Sequence, residues 1–232
     1  LVRTFGDVPL KLDATLSDEN IQPIAKSTKE EVLAQIVKDL TEAEAKAVLT
    51  FGDVASDKGR VTVYTINAIL ADVYLWMDKY TECIAACDKI INSQKFGLIR
   101  GANINPPLYE YNENWFNTLY YTGNSNEGIF ELQFDPQRLN PYFTLFSASL
   151  SNRRWTAAAD IMDRVFTVDF TNDQNYDIRA DGGSVRAATS TVWKYIGATT
   201  TTQRTADQSY AHWFFYRYAD ILLLKAEALN ET

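Results

Sequence analysis

Between Arg60 and Ile91 the chain reads RVTVYTINAILADVYLWMDKYTECIAACDKII, and this stretch limits the possible folds more than any other. Apolar residues recur at helical spacing from about Thr62 to Met77 and again from about Thr81 to Ile91, with only Asp78, Lys79 and Tyr80 between the two runs. A link that short turns the second helix back along the first. The expected unit is a helical hairpin.

Leu70, Ala71 and Tyr74 on the first helix, with Tyr80, Cys83, Ile84, Cys87 and Ile90 on the second, fall in a pattern that resembles a tetratricopeptide repeat. Where two repeat helices approach most closely the residue is commonly Ala, and Cys83 takes that place here. Buried Cys behaves as a small hydrophobe. Cys83 and Cys87 lie four apart, so they share a helix face but seldom reach disulfide geometry. Reduced, structural thiols are expected, and no CxxC or neighbouring His points to metal or redox chemistry.

Thr28 and Glu31 form a capping box ahead of Val32, Leu33, Ile36, Val37, Leu40, Ala43, Ala47 and Val48, which recur at helical spacing. Leu1 to Leu12 begins inside the last turn of a helix, with Gly6 as its stop signal. GDVASDKG reads as a turn. Beyond Phe96 the helical period fades into about a hundred residues rich in Asn, Thr, Gly, Pro and aromatics. GIFELQF (128–134) alternates like a strand and STVWKYI (190–196) reads as another. Helix returns near Trp213 and continues through Ile221, Leu222, Leu223, Leu224, Ala226, Ala228 and Leu229, apolar on most faces. Both ends read as cut, so a fragment is expected. The fold class expected is all-α, with tetratricopeptide-repeat-like hairpins and a long loop-rich insert carrying a few short strands. Repeat-like helices occupy 1–95, an irregular aromatic-rich region 96–210 and a returning repeat helix 211–232 of a single partial domain.

A formal net charge of -8 over 232 residues argues against nucleic acid as a partner, because phosphate binding is built on clustered Lys and Arg. No apolar run approaches the roughly 18 residues of a membrane span, and no signal peptide opens the chain. The single histidine, His212, has no matching Ser or Cys partner and reads as structural. Asp169, Asp173, Asp177 and Asp181 loosely suggest calcium but lack EF-hand spacing and its terminal Glu. They read as solvated loop carboxylates, with Asp177 and Arg179 as a local ion pair. No motif selects a pair among the thirty acids for glycosidase chemistry, and GDVASDKGR lacks the lysine-serine ending of a phosphate loop. No metal and no cofactor is expected.

Several segments together resemble the SusD/RagB family. VRTFGDVPL (2–10) is similar to its phenylalanine-glycine-x-valine-proline-leucine element, and EEVLAQIVKDLTEA (30–43) to the helix that follows. The 60–91 hairpin, EGIFELQF (127–134), YDIR (176–179), VWKY (192–195) and RYADILLLKAEALNE (217–231) complete the family order across nearly the whole chain. The chain departs where the family has Ala near Thr65 to Asn67, and at Cys83. On this resemblance the family's lipidated N-terminal cysteine, first repeat helices and C-terminal region are expected to lie outside this sequence. The resemblance implies a non-catalytic lipoprotein of the outer-membrane surface that binds glycan, or peptide in some members, and passes it to a SusC-like TonB-dependent transporter.

Sugar recognition uses ring faces against the apolar C–H face of a pyranose, flanked by amides, carboxylates or Arg. NENWFNTLYYTGNSN offers Trp115, Tyr120 and Tyr121 beside Asn117 and Asn124. NPYFTLFSASLSNRRW offers Tyr142, Asn152, Arg154 and Trp155 beside Arg153. Trp155 is the leading candidate. The competing explanation for each is packing within the irregular region, and for Trp76, Trp193 and Trp213 packing is the expectation. Two other functions compete with glycan capture: a repeat scaffold binding a peptide or protein in a helical groove, and a helical glycoside hydrolase or lyase.

Overall fold

The computed structural model describes residues 1–17, 23–99, 113–149, 151, 153–166, 177 and 179–232. In chain order its principal elements are α1 (Val2–Phe5), β1 (Val8–Pro9), β2 (Lys26–Ser27), α2 (Lys29–Glu44), α3 (Val54–Gly59), α4 (Val63–Trp76), α5 (Tyr80–Ile91), α6 (Glu113–Phe116), a π-helical turn (Asn117–Thr122), β3 (Gly128–Leu132), α7 (Tyr142–Phe146), α8 (Ile161–Arg164), β4 (Val185–Arg186), β5 (Thr191–Val192), β6 (Trp213–Arg217) and α9 (Tyr218–Asn230). Helices dominate and the strands run two to five residues, as the all-α expectation requires. Among the described residues no helix is long and apolar enough to cross a membrane. The chain divides into two compact units, one of Leu1–Thr50, Val61–Ser93 and Asp220–Thr232, the other of Phe51–Arg60 and Gln94–Ala219.

The first unit is built on capped helices. The Thr28 hydroxyl accepts the Glu31 N–H at 3.2 Å while the Glu31 carboxylate accepts the Thr28 N–H at 2.9 Å, satisfying two donors that the start of α2 leaves open. Thr62 and Thr65 make the same reciprocal arrangement at the start of α4. Asp78 adopts a left-handed conformation, φ 56°, to turn the chain between α4 and α5. The hairpin interior holds Ile66, Ala68, Ala71, Cys83, Cys87 and Ile90, each no more than 1% exposed. Both thiols are free. The Cys83 thiol faces the Leu224 carbonyl at 3.9 Å, and Lys225 pairs with Asp88 at 2.6 Å, so α9 closes on α5. A hydrogen bond to Cys83 and then burial push the Cys87 thiol far up. It stays protonated and unreactive. A second core joins Val2, Val32, Leu33 and Val73 beneath the paired strands β1 and β2.

Three helices meet at one carboxylate. Glu44 accepts from Lys89 at 2.6 Å and from the fully buried Asn67 at 2.7 Å. Burial pushes the Glu44 carboxyl up, but the bonds from Lys89 and Asn67 outweigh it and hold the group below its ordinary value of 4.5. A lowered folded-state value contributes stability above the unfolded value and loses it as pH falls through the folded one. The wild type is therefore expected to lose stability faster than Glu44→Gln on acidification below about pH 4.5. Because the Lys89 side chain is 54% exposed, the difference should stay within about 1 kcal/mol, readable in urea melts across pH 3 to 6.

Trp76 departs from expectation. Its ring is 45% exposed, with the Arg3 guanidinium carbon 4.5 Å and Lys29 Nζ 5.6 Å from the centroid, and Arg3 is itself paired with Asp72. Helical periodicity placed it on the wrong side because α4 is apolar over most of its circumference.

The second unit corrects the sequence reading in three places. GDVASDKG contains helix α3, started by the Asp53 carboxylate accepting the Ser56 N–H at 2.9 Å. Trp213–Arg217, expected as the first turn of the returning helix, is strand β6, antiparallel to β3. The stacked rings of Phe130 and Phe215, 5.2 Å apart, stabilise the pair where aromatic β-propensity wins over helix. STVWKYI supplies only β5, paired with β4, before turning at Lys194. Lys58 of α3 donates to the Gly128 carbonyl of β3, and a Cβ at Gly59 would sit 2.6 Å from the Gln133 side chain, so helix and sheet are in close contact. An aromatic core of Phe116, Leu119, Tyr120, Phe143, Phe146, Trp193, Tyr195, Ile196 and Ala211 fills the unit.

Candidate functional site

Trp155 lies at the outer end of a run of aromatic rings. Trp213 packs against Tyr195 at 4.6 Å and Tyr142 at 4.5 Å; Tyr142 stacks on Phe146 at 5.7 Å, and Phe146 meets Trp155 at 5.5 Å. Phe146 and Tyr195 are each 5% exposed, whereas Trp155 is 52% exposed. The run thus begins in the core and ends at an open indole face.

The segment carrying Trp155 has no regular secondary structure, so other bonds must fix it. Its N–H donates to the Leu145 carbonyl at 3.2 Å, shared with the Arg154 N–H at 2.9 Å, and the Ala157 N–H donates to the Ser190 carbonyl at 2.8 Å. Arg153 completes the fastening. Its guanidinium donates to the carbonyls of Trp155 at 3.2 Å, Thr189 at 3.0 Å and Ser190. An exposed ring held this way gives up little conformational entropy when a ligand covers it.

The candidates divide sharply. Trp155 and Arg154 are exposed and adjacent, and Tyr142 is half-buried within the same ring run. Tyr120 is only 6% exposed, with Trp115, Phe116, Tyr195 and Phe214 around it, so the structure places this candidate in the aromatic core. Trp115 is half-buried and packs edge-on against Phe116 and Tyr120, as a rim of the core. Tyr121 is half-buried and points away from Tyr120's pocket, towards Tyr210 and Arg204. Asn152 lies outside the described residues. Asn124 pairs its amide reciprocally with Gln133 at 2.9 and 3.0 Å. Among the residues expected to pack, Trp193 is 5% exposed and donates to the Thr199 carbonyl at 2.9 Å, and Trp213 is half-buried in the ring run.

His212 has the structural role expected of it. It is 8% exposed and its Nδ1 is hydrogen-bonded at 2.8 Å to Glu131, which also accepts the Asn124 N–H at 3.0 Å. Gly123, which ends the π-helical turn at φ 67°, lies so close that a Cβ would press on the His212 ring. Gly123→Ala should therefore cost about 2–3 kcal/mol from left-handed strain and displaced imidazole together. A urea melt of the variant checks it. Asp177 and Arg179 form the expected ion pair, Nε to carboxylate at 2.8 Å, which holds the Asp177 carboxyl below its ordinary value. Asp169 and Asp173 lie outside the described residues. Among the described residues no group of three His, Cys, Asp or Glu is placed to hold a metal ion.

The model of the SusD family matches residues 113–232, slightly more than half of the chain. SusD-like protein P38 of Formosa agariphila is 24% identical, over 99% of this chain and 50% of its own. Among solved structures, Bacteroides fragilis NanU superposes with a TM-score of 0.66 at 21% identity, covering 99% of this chain and 51% of NanU. A laminarin-binding SusD-like protein superposes at 0.62 with 16% identity, covering 96% and 55%. The chain spans about half the length of the relatives it matches.

Proposed function

Since the chain belongs to the SusD family, we propose that it is the part of a glycan-capture protein that carries a sugar-contact platform at Trp155. The reading rests on one observation above all: an indole 52% exposed, pinned by backbone bonds and Arg153, and backed by buried Phe146. A pyranose has an apolar C–H face that matches such a ring, and Arg154 beside it supplies donors for ring hydroxyls. The relative named for laminarin binding supports a glycan ligand over a peptide.

In the same proposal the full-length protein works at the cell outer membrane as a surface lipoprotein and delivers glycan to a SusC-like TonB-dependent transporter. Family membership supports this assignment. No bond is broken, and the task of the platform is to hold the chain. Native affinity electrophoresis of the full-length protein in gels containing laminarin, xylan or homogalacturonan tests the reading. Retardation by at least one polysaccharide is expected; unchanged mobility in all of them would contradict it.

A further inference from the structure

The π-helical turn carries adjacent tyrosines in different directions. Tyr120 enters the aromatic core, whereas Tyr121 stays half-buried beside Tyr210, ring centroids 6.4 Å apart and planes inclined by 59°. Neither belongs to the core cluster. π-helical turns are rare and concentrate at functional sites, because the extra residue redirects side chains that an α-helix would stack on one face.

Arg204 sits behind both rings. Its guanidinium carbon lies 4.4 Å from the Tyr121 centroid and 5.3 Å from that of Tyr210, and the residue is 2% exposed. It donates to four carbonyls: Gly197 at 3.1 Å, Gln208 at 3.2 Å, Tyr120 at 2.8 Å and Tyr121 at 3.1 Å. Burial pushes its pKa down to about 10, so it remains charged at neutral pH. The buried cation backs both rings, and each tyrosine keeps part of its surface in solvent. Two half-buried rings inclined by 59° on a fixed base make a paired aromatic surface. Polar groups border it: the Tyr121 and Tyr210 hydroxyls interact with one another, and Asp207, exposed, acts on Tyr210 electrostatically.

We propose that Tyr121 and Tyr210, held by Arg204, form a second sugar platform that takes a hexopyranose unit of the same glycan chain bound at Trp155. The inference rests on the glycan reading and deepens it. Helix α7 and its end tie the two platforms together, since the Leu145 carbonyl holds Trp155 and the Ser147 hydroxyl accepts from Gln203, the neighbour of Arg204, at 2.9 Å. Two contacts on one chain raise affinity through effective concentration, so a polymer that spans both binds more tightly than a disaccharide that reaches only one.

The test titrates full-length protein with laminarin, xylan and homogalacturonan, and with the disaccharide of each. Tyr121→Ala and Tyr210→Ala should each weaken polymer binding about tenfold and leave disaccharide affinity unchanged, while Tyr210→Phe, which keeps the ring, should bind the polymer within about threefold of wild type. Thermal melts show which variants are folded, and Tyr210→Ala alone decides the matter if Tyr121→Ala is not. Polymer binding unchanged in Tyr210→Ala, with Trp155→Ala defective, overturns the second platform and leaves the first standing. Failure of the wild type to bind any of the three polymers overturns both.

Discussion

Replacing Phe146 with Ala is expected to destabilise the second unit by about 3–5 kcal/mol, the usual loss when a buried aromatic ring leaves a cavity that cannot collapse. Three rings converge on this side chain: Tyr142 at 5.7 Å, Tyr195 at 6.4 Å and Trp155 at 5.5 Å, the first two nearly parallel to it. Tyr142 and Tyr195 are in turn fixed by Trp213, so neither can move into the vacated space without breaking its own stack. Phe146→Leu retains most of the volume and should cost less than half as much. Urea unfolding followed by near-ultraviolet circular dichroism gives the number, and a loss below about 1 kcal/mol would mean that the rings are not packed as described. Because Trp155 leans on Phe146, the alanine variant should also bind glycan poorly when folded.

Trp155→Ala separates binding from stability. The ring is half in solvent, and its backbone is held by bonds that involve no part of the indole, so unfolding free energy should fall by less than about 1 kcal/mol. Binding should weaken about thirtyfold, equivalent to about 2 kcal/mol, as expected for an aromatic anchor at the centre of a contact. Calorimetric titration alongside thermal melts reads both effects. A variant that binds as the wild type does would move the platform elsewhere.

The repeat-like half was legible because its signals are local. The Thr28 to Glu31 capping box and the interior positions of Cys83, Cys87 and Ile90 follow from spacing alone, and the structure has each of them. Trp76 was not legible: when most faces of a helix are apolar, periodicity cannot say which one meets solvent. The irregular region spoke less clearly because its order comes from distant partners. Tyr120 and Tyr121 are adjacent and chemically identical, yet a π-helical turn sends one to the core and the other to Arg204. Nothing in YYTG signals that turn. Strand β6 was hidden by the helix that follows it directly, and its aromatic run WFFYR pairs with β3 through an irregular register that no strict alternation in the sequence marks. Arg204 and Tyr210 are joined only by the fold: six positions apart, on either side of a 3-10 turn, they meet Tyr121 from a distant turn, and no spacing in the sequence signals that contact.

Two departures from the family pattern are explained by the packing. Thr65, Ile66 and Asn67 stand where small residues are usual, and all three are at most 1% exposed. Asn67 uses its extra reach to bond Glu44, and Thr65 to close the second capping box. Cys83 fills the close-contact position against α9. These changes lie in the first unit.

The proposed activity is capture without cleavage. Equilibrium dialysis of the full-length protein against an intact polysaccharide that retards it in native gels, with reducing ends counted in the same sample, tests it directly. The polysaccharide is expected to accumulate on the protein side while its reducing ends stay constant. Absence of accumulation, or reducing ends that rise with time, would contradict it.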